Sequence, residues 1–262
     1  MKSFNYWLAF FFITALYSCG EDTIVDSQQP TDSITANTLT IHFDHTVDGQ
    51  GIIYNDIRYQ NEAGNKYSIM TLRYFISDIR LHSYSGSVVK IDTFHYRDID
   101  IPETRSLVVK DVPNGQYNYI SFIFGLDSIK NKDFALPPTQ DYNNMEWPIP
   151  MGGGYHYMKF EGRYILAAGD TGSFNTHTGR LKTMDGKIHE NFIHIKLPYS
   201  AFEVKDDNWE MQVYMNLNEW YRNPHQYDIN NYGPAIMNNQ QAQQQLKENG
   251  ADAFSLGFIN RF

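Results

Sequence analysis

Leu39-Thr40-Ile41-His42-Phe43-Asp44-His45 carries the clearest strand signal in the chain. Its apolar residues alternate with polar ones, and this period of two is typical of a strand with one buried face. Strand-like segments follow at 69–83, 87–95, 106–111, 117–125, 155–166, 191–204 and 210–217. Many short strands with turn signals between them predict an all-β fold, a Greek-key β-sandwich-like single domain.

The turns and one helix complete this prediction. Residues 111–117 contain Pro-Asn-Gly and indicate a turn that enters a strand, and residues 183–187 contain the Asp-Gly pair of a hairpin. Gly233-Pro234 begins a run of helix formers that ends in Asn249-Gly250, which predicts a short C-terminal helix. Residues 253–258 are predicted to form a last strand.

Composition limits the classes of function. The 262 residues carry a formal net charge of −9, so the protein is a poor candidate for binding nucleic acid. The 19 Tyr and 17 Phe favour a sheet-rich fold. The sequence has no glycine-rich phosphate loop, no Gly-x-Ser-x-Gly elbow and no His-Glu-x-x-His helix. We therefore expect a protein that is not an enzyme.

The N-terminus indicates export. Lys2 precedes an apolar run over residues 6–16, about the length of a signal-peptide core and too short to span a bilayer comfortably. The run ends in Leu16-Tyr17-Ser18-Cys19-Gly20, which looks like a lipobox around the only cysteine of the chain. Residues 1–18 are therefore predicted to be a lipoprotein signal peptide, and Cys19 is predicted to be acylated and held in a lipid bilayer.

The mature protein is then expected to be an outer membrane lipoprotein that faces the periplasm or the cell surface. Residues 19–37 are polar and acidic, which predicts a flexible tether, and residues 38–262 are predicted to form the folded domain. With Cys19 acylated, no thiol remains for a disulfide, a thiolate metal site or a nucleophile.

Histidines are the candidates for metal ligands. His42 and His45 lie three residues apart on the first strand, so they converge only if the strand ends or bulges near Asp44. His156 follows a run of three glycines, where the backbone can bend sharply, and His177 lies in a segment rich in Thr. These four imidazoles are the predicted metal ligands.

The nature of the metal stays open at this point. The block Met145-Glu146-Trp147-Pro148-Ile149-Pro150-Met151 precedes the glycine run. Imidazole nitrogens together with Met thioethers would suit copper, whereas a catalytic zinc site would also use histidines. The block is equally well interpreted as an aromatic lid over the sandwich core. The other histidines lack supporting context, and His194 shares a solvated strand face with Lys196.

These segments, in this order, resemble the MbnP-like family, the copper-binding proteins first named for their association with methanobactin. The resemblance covers roughly residues 38–260. It rests on residues 39–45, 59–64, 72–81, 112–117, 124–131, 145–162 and 174–179. Phe174-Asn175-Thr176-His177-Thr178-Gly179 looks like the family's later turn of the His-Leu-Gly type.

The resemblance implies an exported copper binder, with a dihaem cytochrome c peroxidase-like protein as its partner. In some members that partner oxidises a tryptophan of a Trp-x-Trp motif to kynurenine, which helps to bind copper. Trp147 matches the first tryptophan and Ile149 occupies the second position, so the modification is not carried over to this chain. Many members have lysine or an apolar residue at the position of His156, so its predicted role rests on its own context.

The favoured hypothesis is a lipid-anchored extracytoplasmic copper-binding protein. Its predicted ligands are His42, His45, His156 and His177, with Trp147 as a neighbouring or modified aromatic. The alternative is a surface β-sandwich that binds a glycan or a protein through the aromatic cluster at residues 218–227. A metallohydrolase is the least favoured class, because no general base is placed beside a pair of ligands.

Overall fold

The structure is a computed structural model that describes residues 37–262, without the side chains of residues 92 and 93. The predicted signal peptide, Cys19 and the predicted tether up to residue 36 lie outside the described residues. Within the described range no helix is long and apolar enough to cross a membrane. Strands dominate and the longest helix is near the C-terminus, which confirms the predicted all-β class with a short C-terminal helix.

Helices and strands are each numbered in chain order. The helices are α1 (Gln140–Asn143), α2 (Ile229–Tyr232) and α3 (Gln240–Asn249). The strands are β1 (Leu39–Val47), β2 (Gln50–Gly51), β3 (Tyr59–Gln60), β4 (Lys66–Tyr67), β5 (Thr71–Ser83), β6 (Val88–Asp98), β7 (Ser106–Val109), β8 (Gly115–Phe124), β9 (His156–Ile165), β10 (Thr171–Gly179), β11 (Leu181–Lys182), β12 (Ile188–His189), β13 (Ile193–Leu197), β14 (Phe202–Val204), β15 (Trp209–Asn216) and β16 (Phe254–Arg261).

Two sheets form the sandwich. The smaller sheet has the order β16-β15-β1-β2, and β7 also pairs with β1. The larger sheet has the order β13-β8-β5-β9-β4-β3, with β6 beside β5, β10 beside β9 and β14 beside β8. β1 and β15 run parallel, so the smaller sheet is not built from antiparallel neighbours alone. The predicted Asp-Gly hairpin is confirmed as β11 and β12.

Alternation along β1 explains how the core forms. Leu39, Ile41, Phe43, His45 and Val47 are buried, while the residues between them are only partly buried. Their apolar side chains join the main core cluster, which also takes in residues of the larger sheet. Removing this apolar surface from water is the main force that holds the two sheets together.

A second, smaller core lies on a different part of the larger sheet. Phe75 and Tyr157 pack there with Leu126, Leu136 and Met145, which belong to the segment between β8 and β9. This segment, residues 125–155, therefore covers one region of the sheet. It leads directly into β9, which places Trp147 and the glycine run beside the start of that strand.

The structure differs from the sequence prediction at three places. The predicted strand 191–204 is split, because Tyr199 has a left-handed backbone and Ile120 N donates to Ser200 Oγ at 2.8 Å. The helix begins at residue 240, since the Asn239 side chain caps it by accepting from Ala242 N at 3.1 Å. Residues 171–179 form a strand, although the family resemblance had suggested a turn over residues 174–179.

Candidate metal centre

The hairpin of β9 and β10 brings two of the predicted histidines together. His177 lies opposite Lys159, and the pairing then shifts by one residue so that Gly179 lies opposite His156. Without this shift, alternation would place His156 on the side of Met158, which belongs to the main core. The irregularity re-aims His156 toward His177. Their ring centroids are 5.0 Å apart, and the ring planes are nearly perpendicular.

Trp147 forms one wall of this site. Its ring centroid is 4.8 Å from that of His156, and the side chain is only 2% exposed. Backbone hydrogen bonds fix it there, from Trp147 N to Gly154 O at 2.8 Å and from His156 N to Met145 O at 2.7 Å. The covering segment is thereby tied to the beginning of β9.

Two glycines make room for this wall. A Cβ at Gly179 would lie 2.5 Å from the Trp147 ring, so only a residue without a side chain leaves space for the indole. Gly154 has a φ of 81°, and a Cβ there would lie 2.3 Å from the Asn131 side chain. The glycine run therefore allows the tight backbone turn that places Trp147 beside His156.

The hydrogen bonds define which imidazole nitrogens are free. His156 Nδ1 lies 3.1 Å from the carbonyl oxygen of Met145, which can only accept, so Nδ1 carries the proton. His156 Nε2 then holds a lone pair, and it is buried without a hydrogen-bond partner among the described residues. Burial, followed by the neighbouring His177, lowers the pKa of His156 to about 3, so the ring stays neutral at ordinary pH.

His177 is oriented by a carboxylate. Its Nε2 lies 2.7 Å from Glu161 Oε1, and this hydrogen bond contributes most to lowering the pKa of Glu161 to about 2. Since the ionised carboxylate can only accept, Nε2 carries a proton, and Nδ1 is the nitrogen of this ring that is left to bind a metal. Lys159 Nζ lies 3.8 Å from the same carboxylate oxygen, which balances its charge. A carboxylate that holds the far nitrogen of an imidazole is the usual support for a metal-ligating histidine.

The donor set is therefore small. It consists of Nε2 of His156, which is enclosed beside the indole ring, and Nδ1 of His177, whose ring centroid lies 5.0 Å from that of His156. Among residues 37–262, no group of three or more His, Cys, Asp or Glu side chains is arranged to hold a metal ion. Structural zinc sites use four ligands and catalytic ones three, so two imidazoles fit zinc poorly. They fit copper better, since imidazole is a good copper ligand and Cu(I) accepts few ligands.

The two histidines of β1 lie elsewhere. His42 is half-buried, with Nδ1 2.6 Å from Ser106 Oγ and Nε2 2.8 Å from Glu210 Oε1. His45 points to the opposite, buried side of β1, where its Nε2 lies 2.9 Å from the Tyr74 hydroxyl. The four predicted imidazoles thus do not form one cage: His156 and His177 pair with each other, and His42 and His45 have other partners.

Sequence reasoning missed Glu161, which holds His177. The signal was indirect, because Glu161 and His177 become diagonal neighbours only when residues 171–179 are recognised as a strand.

The aromatic cluster at 218–227, the basis of the alternative function, is buried in its central residues. Trp220, Tyr221 and Tyr227 are at most 2% exposed and belong to the main core, so they offer no platform for stacking on a sugar.

Comparisons with known proteins agree with this architecture. A solved structure, MbnP from Methylosinus trichosporium, matches with a TM-score of 0.53 and 14% identity, over 74% of this chain and 80% of that chain. At this identity the likeness shows a shared fold. A search of curated proteins found no match. A family model described as MbnP matches residues 36–240. Because that match covers well over half of the chain, this protein belongs to the MbnP family.

Proposed function

We propose that this protein binds copper, as Cu(I), between His156 and His177. The observation that carries the proposal is the buried Nε2 of His156, which has no hydrogen-bond partner in the described part of the chain. A buried lone pair without a partner costs free energy unless something binds it. The neighbouring imidazole, 5.0 Å away between ring centroids, supplies a second donor to the same space.

The surroundings favour a soft, singly charged ion. Glu161, the carboxylate nearest to the pair, is already engaged by His177 and Lys159, so it adds little negative charge for a divalent cation. Trp147 and the glycine turn shield the site from water. Membership of the MbnP family supports a related function. In this proposal Trp147 is a neighbouring aromatic group, and the protein has no turnover of its own.

The proposal includes a location and a partner. The lipobox-like segment around Cys19 supports a lipid anchor, with the domain facing the periplasm or the outside of the cell. The family resemblance supports a dihaem cytochrome c peroxidase-like partner. Mass spectrometry of protein from the membrane fraction tests the anchor: an acylated Cys19 at the N-terminus is expected, and a chain that retains residues 1–18 or lacks acyl groups would contradict it.

Copper titration tests the site directly. Metal-free protein is titrated anaerobically with Cu(I) against a chromogenic chelator, and one tightly bound ion per chain is expected. His156→Ala and His177→Ala should each weaken binding by at least about tenfold, because either loss leaves one imidazole. His194→Ala is the matched control, since His194 is exposed on β13.

Two results would reject the copper proposal. One is wild-type protein that retains neither Cu(I) nor Cu(II) after desalting. The other is undiminished copper binding by the His156→Ala/His177→Ala double variant, which would place the ion elsewhere. Binding of zinc in preference to copper would also overturn the argument from the donor set.

A further inference from the structure

A cavity of about 610 Å³ lies at an interruption in the smaller sheet, and it shares no lining residue with the metal centre. On one edge of β1, β7 pairs only as far as His42, and β2 begins to pair at Thr46. Residues 43–45 therefore have no strand partner on that edge. We call this space the β1-edge cavity; it is lined in part by Asp44, His45 and Arg97.

Arg97 brings a positive charge without a directly bonded carboxylate to this cavity. The side chain is 5% exposed, and its Nε donates to Phe43 O at 3.1 Å, in place of the missing strand. Its Nη1 donates to the Asp98 carbonyl and, at 3.2 Å, to Thr104 Oγ1. These acceptors are all neutral. Within residues 37–262, Arg97 makes no ion pair with a carboxylate.

One nitrogen of Arg97 remains available. Nη2 makes no hydrogen bond in the described part of the chain and is not fully enclosed by protein atoms, and Arg97 lines the cavity. Asp44 is engaged in a bidentate ion pair with Arg105, whose Nη2 is 2.6 Å from Asp44 Oδ2, and it makes no hydrogen bond to Arg97. A mostly buried guanidinium without a carboxylate in direct contact is costly, which points to an anionic ligand.

His45 supplies a second donor. Tyr74 is fully buried, and its hydroxyl has His45 Nε2 as its only hydrogen-bond partner within the described chain. If the hydroxyl donates, as a buried O–H must to be satisfied, Nε2 is the acceptor and Nδ1 carries the proton. That N–H is likewise not fully enclosed by protein atoms, and His45 lines the cavity. Burial and then the charge of Arg97 lower the pKa of His45 to about 3, so the ring adds a donor but no charge.

We propose that the β1-edge cavity binds a small carboxylate that also carries hydroxyl groups. The carboxylate accepts from Nη2 of Arg97 and Nδ1 of His45. One guanidinium balances one carboxylate, whereas the nearby Asp44 disfavours a dianion. Tyr54, Tyr214 and Ser255, which carry hydroxyl groups, are also among the lining residues. Its volume lies in the range of about 300–1,000 Å³ that is usual for small-molecule sites.

Matched acids and alcohols test this proposal. Metal-free protein is titrated by calorimetry with gluconate against glucitol, and with galacturonate against galactose, at constant ionic strength. Each acid should bind at least about tenfold more tightly than its neutral partner, because only the acid satisfies Arg97. If neither acid binds more tightly than its neutral partner, the proposal is overturned. Because no metal is present, this outcome is independent of the copper titration.

Variants locate the binding. Arg97→Met should weaken acid binding by at least about tenfold, with Arg163→Met, an exposed arginine on β9, as the control for lost charge. If loss of the bonds to Phe43 and Asp98 unfolds Arg97→Met, Gly51→Trp tests the location of binding without altering Arg97. Gly51 lines the cavity, and a Cβ there meets no atom within 4 Å, so a side chain can start from this position without a clash at Cβ.

Gly115→Trp is the control for the added indole, since its Cβ would meet only the Tyr117 ring at 3.9 Å. Gly51→Trp should abolish binding of both acids, and Gly115→Trp should bind them as the wild type does. Wild-type affinity in Gly51→Trp would show that the acids bind elsewhere and would overturn the assignment of this cavity.

Discussion

Lowering the pH from 7.5 to 5.0 should destabilise the metal-free protein through its buried histidines. His45, His95 and His156 are 6%, 8% and 5% exposed. Burial is the largest cause that lowers their pKa values, to about 3, about 4 and about 3. In the unfolded chain each imidazole regains a pKa of about 6.5.

The direction follows from proton binding. Between pH 6.5 and the folded pKa values the unfolded chain binds a proton at each site and the folded protein does not, so stability falls as the pH falls. Each site loses about 1.4 kcal/mol per pH unit below 6.5, which gives about 2 kcal/mol per site at pH 5.0. Three sites give an upper bound of about 6 kcal/mol, comparable with the whole stability of many domains. Carboxylates with lowered pKa values, such as Glu161, lose their contribution only below about pH 4.5, so they add little in this window.

Urea unfolding at pH 7.5 and 5.0 measures this loss. His45→Gln removes one titrating site, so its free energy of unfolding should fall by about 2 kcal/mol less than that of the wild type over the same interval. His194→Gln, at an exposed position, should lose as much free energy of unfolding between the two pH values as the wild type does. A wild-type free energy of unfolding that differs by less than about 1 kcal/mol between the two pH values would refute the reasoning, because it would mean that the buried imidazoles are not held neutral by the fold.

Three further substitutions probe the metal centre and its sheet. Gly179→Ala should lower the free energy of unfolding, measured in urea, by about 1–3 kcal/mol, because its Cβ would lie 2.5 Å from Trp147. A similar loss when Trp147 is also replaced by Leu would contradict this cause. Glu161→Gln should weaken copper binding by about 10–100-fold in the chelator competition, since an amide no longer fixes the proton on His177 Nε2; unchanged affinity would remove Glu161 from the site. Gly162→Ala should cost at least about 1–3 kcal/mol, because a Cβ would lie 2.0 Å from Ser68 O, and unaltered urea unfolding would show that the sheet yields there.

Much of the fold could be predicted because local patterns encode it. The alternation in β1 predicts which side of that strand is buried, and β1 is observed at residues 39–47. Asn249-Gly250 predicts the end of α3, and Asp185-Gly186 predicts the hairpin of β11 and β12. Each of these signals lies within a few residues of the feature that it specifies, so no long-range information is needed.

The candidate site could be predicted only in part. The sequence indicates His156, His177 and Trp147 as members of a site, but it also places His42 and His45 among the predicted ligands. The polar strand β10 was missed because its pairing with β9, rather than its own apolar residues, holds it in place. Without β10 there was no means to foresee that Glu161 holds His177.

The sequence by itself determined the all-β class, the approximate positions of most of the longer strands and the family resemblance. Only the tertiary structure decided which imidazoles meet. A one-residue shift in pairing between β9 and β10 turns His156 toward His177, and a gap in the pairing of β1 opens a cavity beside Arg97. Periodicity is a property of neighbouring residues, whereas register is settled by contacts between residues far apart in the chain, so a shift by one residue changes a side chain's face without changing the local pattern.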